Sequence, residues 1–400
     1  MSWDKIADIV FVFLHFLRAF FLDENRAEFP PITTELSDQS ISETIEAPFF
    51  PIGIYGVGRD AAALPLLKEA GFNTVFGNAD TLFLDRASEL GLQVLSYPGT
   101  SIGSNFDKAI ARKTILKYDA HPALFAWYLI DEPDMLLIAP NEVRKGERFI
   151  KQLGAIKPTT LVLFHGYEAL NYAHLTDILM IDRYPVPLMP LADFAKHLRM
   201  TRLALGKEKP MISVIQAFDW SIHEQVSKQE KNLRPPNYRE MRCMTFCSLA
   251  YGVSGLFYYT FNSSKWNLRE HPEVWNGLKK LVREINDYLP LFTGERDWSY
   301  IPTHYKNYDT RLNKALEPSI LTASIQVVHE SRNVPEGRYL LCINTTPVIQ
   351  EFSLILPEQK GRLIPMLMSD TVHYLRDSRI QSFLKPYDIQ IFGPMPPKDR

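Results

Sequence analysis

Short apolar runs alternate with amphipathic segments along most of this 400-residue chain. The runs have the length of buried strands, and the segments between them have the period of helices, most of them closed by glycine or a polar turn. The predicted strands are residues 52–57, 73–76, 92–97, 125–130, 161–165, 178–182, 211–217 and 256–261. The predicted helices are residues 61–70, 81–90, 106–118, 141–153, 169–174, 191–205, 238–251 and 273–288. Repeated strand–helix units at a spacing of roughly thirty residues predict a (β/α)₈ TIM barrel. A doubly wound open sheet is the rival, but no glycine fingerprint supports it.

The pattern changes after residue 291, where strand-like runs follow one another without a helical period. These runs are residues 321–328, 338–343, 351–356 and 389–392. They predict a small antiparallel β-sandwich, with a structural role favoured over glycan binding. The predicted organisation is an N-terminal apolar segment and linker (1–50), a catalytic barrel (51–292) and a C-terminal β-sandwich (293–400).

The N-terminal segment is apolar over residues 9–22, but His15 and Arg18 interrupt it. It is shorter than the roughly 20 residues that span a bilayer, and no small-x-small cleavage site follows. A signal anchor, an imperfect signal peptide, an amphipathic surface helix and a packed helix all remain open. Membrane attachment through this segment, and an extracytoplasmic or membrane-associated location, are therefore expectations.

Composition limits the kinds of ligand and partner that we expect this chain to bind. The net charge of −2 gives no basic footprint, so nucleic acid is not expected. The three cysteines, Cys243, Cys247 and Cys342, form no CxxC or Cys/His cluster, which indicates buried thiols and no zinc site. No metal or organic cofactor is implied.

The C-terminal end of the fourth predicted strand is the strongest indication of catalytic chemistry in the sequence. An uncharged run from Phe125 to Ile130 is followed at once by Asp131, Glu132 and Pro133. Proline cannot extend the ladder, so the strand ends there and both acids lie at the barrel mouth. Strand C-termini carry the chemistry in this fold. Two close carboxylates on an apolar strand repel each other, which raises one pKa toward the value that a general acid needs.

Other strand ends add carboxyl, amide and aromatic groups to the same rim. We predict Glu132, Asp182 and Asp131 as catalytic residues, and as substrate-binding residues Tyr55, Tyr97, His165, Tyr184, Gln216, Asp219, Tyr258 and Trp266. Such a set can bind a sugar and protonate a glycosidic oxygen. Structural alternatives exist: Asp134 could be a helix N-cap, Asp182 could pair with Arg183, and His165 could be a hydrogen-bonded rim residue.

A family resemblance follows from these strand ends. The segment WYLIDEPD at residues 127–134 resembles strand four of the clan-A glycoside hydrolases, which ends in Asn-Glu-Pro with Glu as the general acid/base. DRYP at 182–185, SVIQAF at 213–218, GLFYY at 255–259 and YLLCINTT at 339–346 resemble segments of bacterial proteins assigned to glycoside hydrolases. The resemblance covers residues 51–394 and implies a carbohydrate substrate.

One departure concerns the second catalytic group. The clan places a nucleophilic Glu at the end of strand seven, where this chain has Gln216. An amide cannot form the covalent ester of a retaining mechanism. Three routes remain: inversion with Asp182 activating water, assistance by an N-acetyl group that Asp131 orients, or binding without hydrolysis. A glycosidase with Glu132 as the acid is the favoured function; a non-catalytic carbohydrate-binding protein and a lyase are the rivals.

Overall fold

The computed structural model of the protein describes residues 49–103, 106–306, 317–375 and 377–396, all within the compact unit Ala47–Arg400. The predictions for residues 9–22 and for the linker as far as residue 48 lie outside the described residues. Among the residues that are described, no helix is long and apolar enough to span a membrane.

Eight parallel strands form a closed barrel, in which each strand pairs with its neighbours in sequence and β8 returns to β1. The barrel strands are β1 Ile52–Gly58, β2 Thr74–Gly77, β3 Gln93–Ser96, β4 Leu124–Tyr128, β5 Thr159–Leu163, β6 Ile178–Asp182, β7 Met211–Gln216 and β8 Gly255–Tyr259. Most of their residues are buried on both faces, as expected when helices cover a parallel sheet. The predicted fold class is therefore confirmed.

Helices separate the strands and form the outer layer. They are α1 Leu64–Glu69, α2 Thr81–Glu89, α3 Lys108–Tyr118, α4 Pro140–Gln152, α5 Ala169–Tyr172, α6 Leu191–Leu205, α7 Glu224–Gln229, α8 Tyr238–Ala250, α9 Pro272–Asp287 and α10 Leu289–Thr293. Local sequence sets several of their starts. Pro140 and Pro272 occupy first-turn positions that need no N–H, and Asn237 with Glu240 forms a capping box at α8.

Two antiparallel sheets follow the barrel, after a short ribbon of β9 Asn262–Ser263 and β10 Trp266–Asn267. The larger has the order β11-β13-β14-β19-β16-β17 and the smaller β12-β15-β18. Their strands are β11 Glu295–Asp297, β12 Thr303–Tyr305, β13 Ile320–Val327, β14 Gly337–Asn344, β15 Gln350–Ile355, β16 Leu363–Leu367, β17 Val372–Tyr374, β18 Arg379–Leu384 and β19 Ile389–Met395. Apolar residues of both sheets form one core, in which Phe352 meets Phe392. The sequence predicted four of these strands, because the others are short or polar on one face.

The β-sandwich packs on the barrel through α8. β13 and β14 contact this helix, and the Cys243 thiol donates to Asn344 O at 3.6 Å. Arg199 of α6 forms a salt bridge of 2.6 Å with Glu317, just before β13. All three cysteines are buried and free, as predicted.

Candidate active site

The chain turns sharply at the end of the fourth strand. Leu129 still takes part in strand pairing, since its N–H donates to Thr160 O and its O accepts from Ile102 N, each at 2.8 Å. Glu132 then adopts φ 39°, in the left-handed region, and its carbonyl accepts from the N–H groups of Met135 and Leu136. A non-glycine residue in this region is strained, and such strain concentrates at functional sites.

The carboxyls of Glu132 and Asp182 are in hydrogen-bonding contact. Asp182 ends β6 and is buried; its Oδ2 accepts from Tyr184 OH at 2.8 Å. Its Oδ1 is also buried, and no backbone N–H, side-chain N–H or alcohol of the described residues donates a hydrogen bond to it. Two carboxyls can hydrogen-bond only when one is protonated, so the pair shares a proton.

Electrostatics agrees with a shared proton. Burial, followed by the charge of Glu132, raises the pKa of Asp182 well above its usual range. Burial also raises the pKa of Glu132, although the hydrogen bond from Asp182 opposes this shift. The pair therefore keeps one proton at a pH where separate carboxyls would both be ionised. Direct contact is closer than the roughly 6.5–9.5 Å that an inverting reaction requires.

Asp131 lies beside this pair at the barrel mouth, the region that we call the cleft. Its Oδ1 accepts from Tyr128 OH at 2.5 Å, and the residue retains solvent-exposed surface. The surrounding protein still raises its pKa through burial, against the lowering effect of the Tyr128 hydrogen bond. A carboxylate that is both accessible and closely surrounded can bind a substrate group.

Aromatic rings line the cleft around these carboxyls. Tyr55 stacks on Phe76 at 4.7 Å between centroids, and Tyr97 meets Tyr128 edge-on at 5.0 Å. Across the mouth, Tyr184 stacks on Tyr259 at 5.6 Å. Burial raises the pKa values of Tyr55, Tyr97, Tyr184 and Tyr259, so their hydroxyls stay neutral. Tyr55 and Tyr184 are buried, whereas Tyr97 and Tyr259 keep some exposed surface on which a sugar can stack.

A carboxylate–imidazole contact lies at the end of β5. Asp134, whose side chain is buried, accepts from the N–H of Phe164 at 3.2 Å and from the N–H of His165 at 2.8 Å. Its Oδ2 also lies 3.1 Å from His165 Nδ1. Asp134 is therefore not the helix N-cap that the sequence allowed, since α4 begins at Pro140. His165 is close enough to Glu132 for a charged imidazole to lower the pKa of that acid.

Four residues predicted to bind substrate are buried or held by hydrogen bonds within the fold. Gln216 is fully buried: its Oε1 accepts from Val186 N at 2.9 Å and its Nε2 donates to Val186 O at 2.7 Å. Tyr258 is fully buried too, with its hydroxyl 2.9 Å from Thr245 Oγ1 of α8. Trp266 stacks on His271 at 3.8 Å and donates to Thr260 O. Asp219 caps the turn Trp220–Ile222 through Ser221 N.

The other seven predicted site residues come together at the barrel mouth. Four further residues, which were not among the predicted site residues, lie beside them. The structure brings together Glu132, Asp182, Asp131, Tyr55, Tyr97, His165 and Tyr184. The additions are Tyr128, Asp134, Tyr259 and Trp220, whose indole donates to Tyr184 O at 3.0 Å. Strand alternation could have revealed Tyr259, because it and Tyr258 must face opposite sides of β8. In the part of the chain described, no three His, Cys, Asp or Glu side chains cluster as metal ligands do.

Comparison with known proteins adds information on the fold. No family model matches the sequence. No curated protein matches it either. Among solved structures, the chain is similar to an α-amylase from Geobacillus thermoleovorans complexed with acarbose, with a TM-score of 0.51 and 9% identity over 86% of this chain and 97% of that one. It is also similar to AmyP in complex with maltose, with a TM-score of 0.53 and 8% identity over 85% and 90%. At such identities the likeness concerns the fold alone, a barrel followed by β-strands.

Proposed function

We propose that this protein is a glycosidase in which Glu132 is the general acid. The observation that carries the proposal is the Glu132–Asp182 carboxyl pair with its shared proton, at the ends of β4 and β6 and beside a cleft lined with aromatic rings. A carboxyl pair whose pKa values are raised by burial retains a proton, which is what leaving-group protonation needs. The barrel fold shared with α-amylases is consistent with a carbohydrate substrate.

The proposal also has to identify the group that attacks the anomeric carbon. Gln216 cannot act as a nucleophile, and hydrogen-bonded carboxyls of Glu132 and Asp182 do not have the wide separation that an inverting reaction uses. We infer that the substrate supplies the nucleophile through a 2-acetamido group, which the neighbouring Asp131 orients. This inference names N-acetylhexosaminides as the substrate class.

Hydrolysis by this route takes two chemical steps. The acetamido oxygen attacks the anomeric carbon, the bond to the leaving oxygen breaks, and the Glu132 proton passes to that oxygen. Water then adds to the anomeric carbon of the cyclic intermediate and opens it, giving a proton to the Glu132 carboxylate. Asp182, held by Tyr184, shares the proton with Glu132 between turnovers.

The experiment is hydrolysis of a panel of glycosides by the wild type and by Glu132→Gln. We expect activity on N-acetylhexosaminides and a loss of kcat/KM of roughly 10²–10⁴ in the variant, because the amide cannot donate the leaving-group proton. Glu89→Gln, on the exposed surface of α2, is the matched control and should retain full activity. Undiminished activity in Glu132→Gln would remove the acid assignment.

A non-catalytic carbohydrate-binding protein is the second candidate. The specific observation in its favour is the buried Gln216, whose amide is fully used in bonds to Val186 and Phe218 where related enzymes place a nucleophile. Its signature would be glycan binding by calorimetry with no turnover, and no change in affinity for Glu132→Gln.

A further inference from the structure

One flank of the barrel has a charge unlike that of the whole chain. Helices α3 and α4 pack side by side and together contain eight Lys and Arg residues and two Glu. The complete chain has a net charge of −2. Cations are therefore concentrated on this flank, which creates a local positive potential.

Most of these cations are not neutralised by a neighbouring acid. Among the described residues, three of the eight pair with an acidic or imidazole side chain: Lys145 bonds Glu142, Lys151 bonds Asp177 and Arg144 contacts His174. The other five form no salt bridge within the described part of the chain: Lys108, Arg112, Lys113, Lys117 and Arg148. These five are exposed.

The seam between the two helices brings the cations close together. Lys108 Nζ and the Arg112 guanidinium both lie over the Phe149 ring of α4, at 5.6 and 5.8 Å from its centroid. Because both charged heads lie over the same ring, they are held side by side at the surface, where they can meet an anionic layer.

Exposed apolar side chains border the same flank. The loop from β4 to α4 presents Met135, Leu136 and Leu137, of which Leu136 is 61% and Leu137 89% exposed. Leu137 adopts φ 55°, a left-handed conformation that a leucine rarely takes. On α3, Leu116 is 66% exposed. Leucines displayed beside unpaired cations are the composition of a surface that inserts into a lipid interface.

The rest of the described chain leaves this flank open. The β-sandwich packs on α8, which follows β7, and β7 lies across the eight-strand barrel from β3. The apolar loop follows Glu132 directly, so a surface that meets this flank also meets the edge of the barrel mouth.

We propose that α3, α4 and the Met135–Leu136–Leu137 loop dock on the headgroups of an anionic lipid bilayer. The five unpaired cations contact anionic headgroups, and the three loop side chains enter the boundary between headgroups and acyl chains. A soluble polyanion would also meet the cations, but it offers nothing for the leucines to bury in, which favours the bilayer. The proposal does not depend on the glycosidase activity.

The test is sedimentation of the full chain with phosphatidylcholine vesicles, with or without phosphatidylserine, at low and high salt. We expect binding that requires phosphatidylserine and weakens with salt. Arg112→Glu/Lys113→Glu should lower the partition coefficient by about tenfold or more, since each surface cation contributes to headgroup attraction. Leu136→Asp/Leu137→Asp should lower it as well. Lys280→Glu/Arg283→Glu, two exposed cations on α9, is the matched control and should bind as the wild type does.

Each opposing result overturns the proposal. No sedimentation with phosphatidylserine vesicles would exclude the bilayer as the partner. Equal binding to both vesicle types, unaffected by the variants, would assign attachment to another part of the chain. Binding to heparin that depends on Arg112 and Lys113, without vesicle binding, would identify a soluble polyanion as the partner. Circular dichroism of all variants verifies that the substituted proteins are folded.

Discussion

Glu132 combines an unfavourable backbone conformation with an unfavourable electrostatic environment. Its φ of 39° is strained, and its carboxyl meets a second carboxyl in a site that solvates neither fully. Each feature costs free energy of folding, on the order of 1–3 kcal/mol for the backbone alone. Chains retain such costs where they serve a function, which is why this residue, rather than a better-packed acid, is the one we assign as the proton donor.

Asp134 gives the first prediction at the scale of single residues. Asp134→Asn should lower kcat/KM by roughly 10- to 100-fold, because an amide has one acceptor oxygen for three donors and His165 loses its fixed orientation. Steady-state kinetics over a range of pH measures the effect. Asp177→Asn is the control, since Asp177 binds Thr159 N at the opposite end of β5. Equal loss of activity in both variants would mean that Asp134 acts only on strand stability.

His197 gives a prediction on pH and stability. Burial, followed by the charge of Arg183, lowers the pKa of His197 from 6.5 to about 2, and its Nδ1 accepts from Gly166 N at 2.8 Å. Between these values the unfolded chain binds a proton that the folded chain does not. The free energy of unfolding therefore falls as pH drops below 6.5, by about 1.4 kcal/mol per pH unit from this group.

Urea unfolding at a series of pH values measures that slope. His197→Gln should lose this part of the slope below pH 6.5 and run parallel to the wild type above pH 7, where His197 is neutral in both states. Parallel curves over the acidic range would contradict the assignment.

At the scale of elements, strand alternation separates residues of the site from residues of the core. Tyr258 and Tyr259 are adjacent in β8, yet Tyr258 bonds Thr245 beneath α8 while Tyr259 stacks on Tyr184 in the cleft. The sequence indicated aromatic residues at this strand end, but the side that each one faces depends on the register of β8 with β7 and β1. The burial of Gln216 could not be predicted for a related reason, because its two bonds to Val186 form only in the folded barrel.

These two tyrosines allow a paired prediction. Tyr259→Ala should lower kcat/KM by about tenfold, since a ring that can stack on substrate is removed. Tyr258→Phe should leave kcat/KM unchanged and lower the free energy of unfolding by about 1 kcal/mol, through the hydrogen bond lost to Thr245. Kinetics and urea unfolding of both variants give the answer. The reverse pattern would mean that the two faces of β8 are assigned the wrong way round.

At the scale of the whole molecule, the barrel was predictable and much of the β-sandwich was not. The barrel strands are continuous apolar runs because helices cover their outer face and side chains from the other strands fill the barrel interior, so each strand stands out in the sequence. Strands such as Thr303–Tyr305 and Val372–Tyr374 are short and partly polar, and carry no comparable signal. The contact between the two parts was not predictable either, because its partners are far apart in sequence.

The Arg199–Glu317 salt bridge tests that contact. Arg199→Ala should lower the free energy of unfolding by roughly 2 kcal/mol, because it leaves a carboxylate that is 3% exposed without its partner. The expected loss in the free energy of unfolding is smaller than for a fully buried pair, because Arg199 is 37% exposed and solvent screens its charge. Thermal and urea unfolding provide the measurement.

Two further variants complete that test. Arg86→Ala, which breaks a surface pair with Glu89, is the control and should change the free energy of unfolding by less than about 0.5 kcal/mol. Arg199→Ala/Glu317→Gln should recover part of the loss, because the buried charge is gone. Equal effects of Arg86→Ala and Arg199→Ala would mean that the Arg199 pair contributes no more than a surface contact.

The bonding of Gln216 bears on how this scaffold could be re-engineered. Its Nε2 donates to the carbonyls of Val186 and Phe218, and a glutamate has no N–H to replace it. A carboxylate there would face two oxygens in a dry environment and would stay protonated. Installing one acid at that position is therefore not expected to create a double-displacement enzyme; the turn after β6 would have to be rebuilt in the same step.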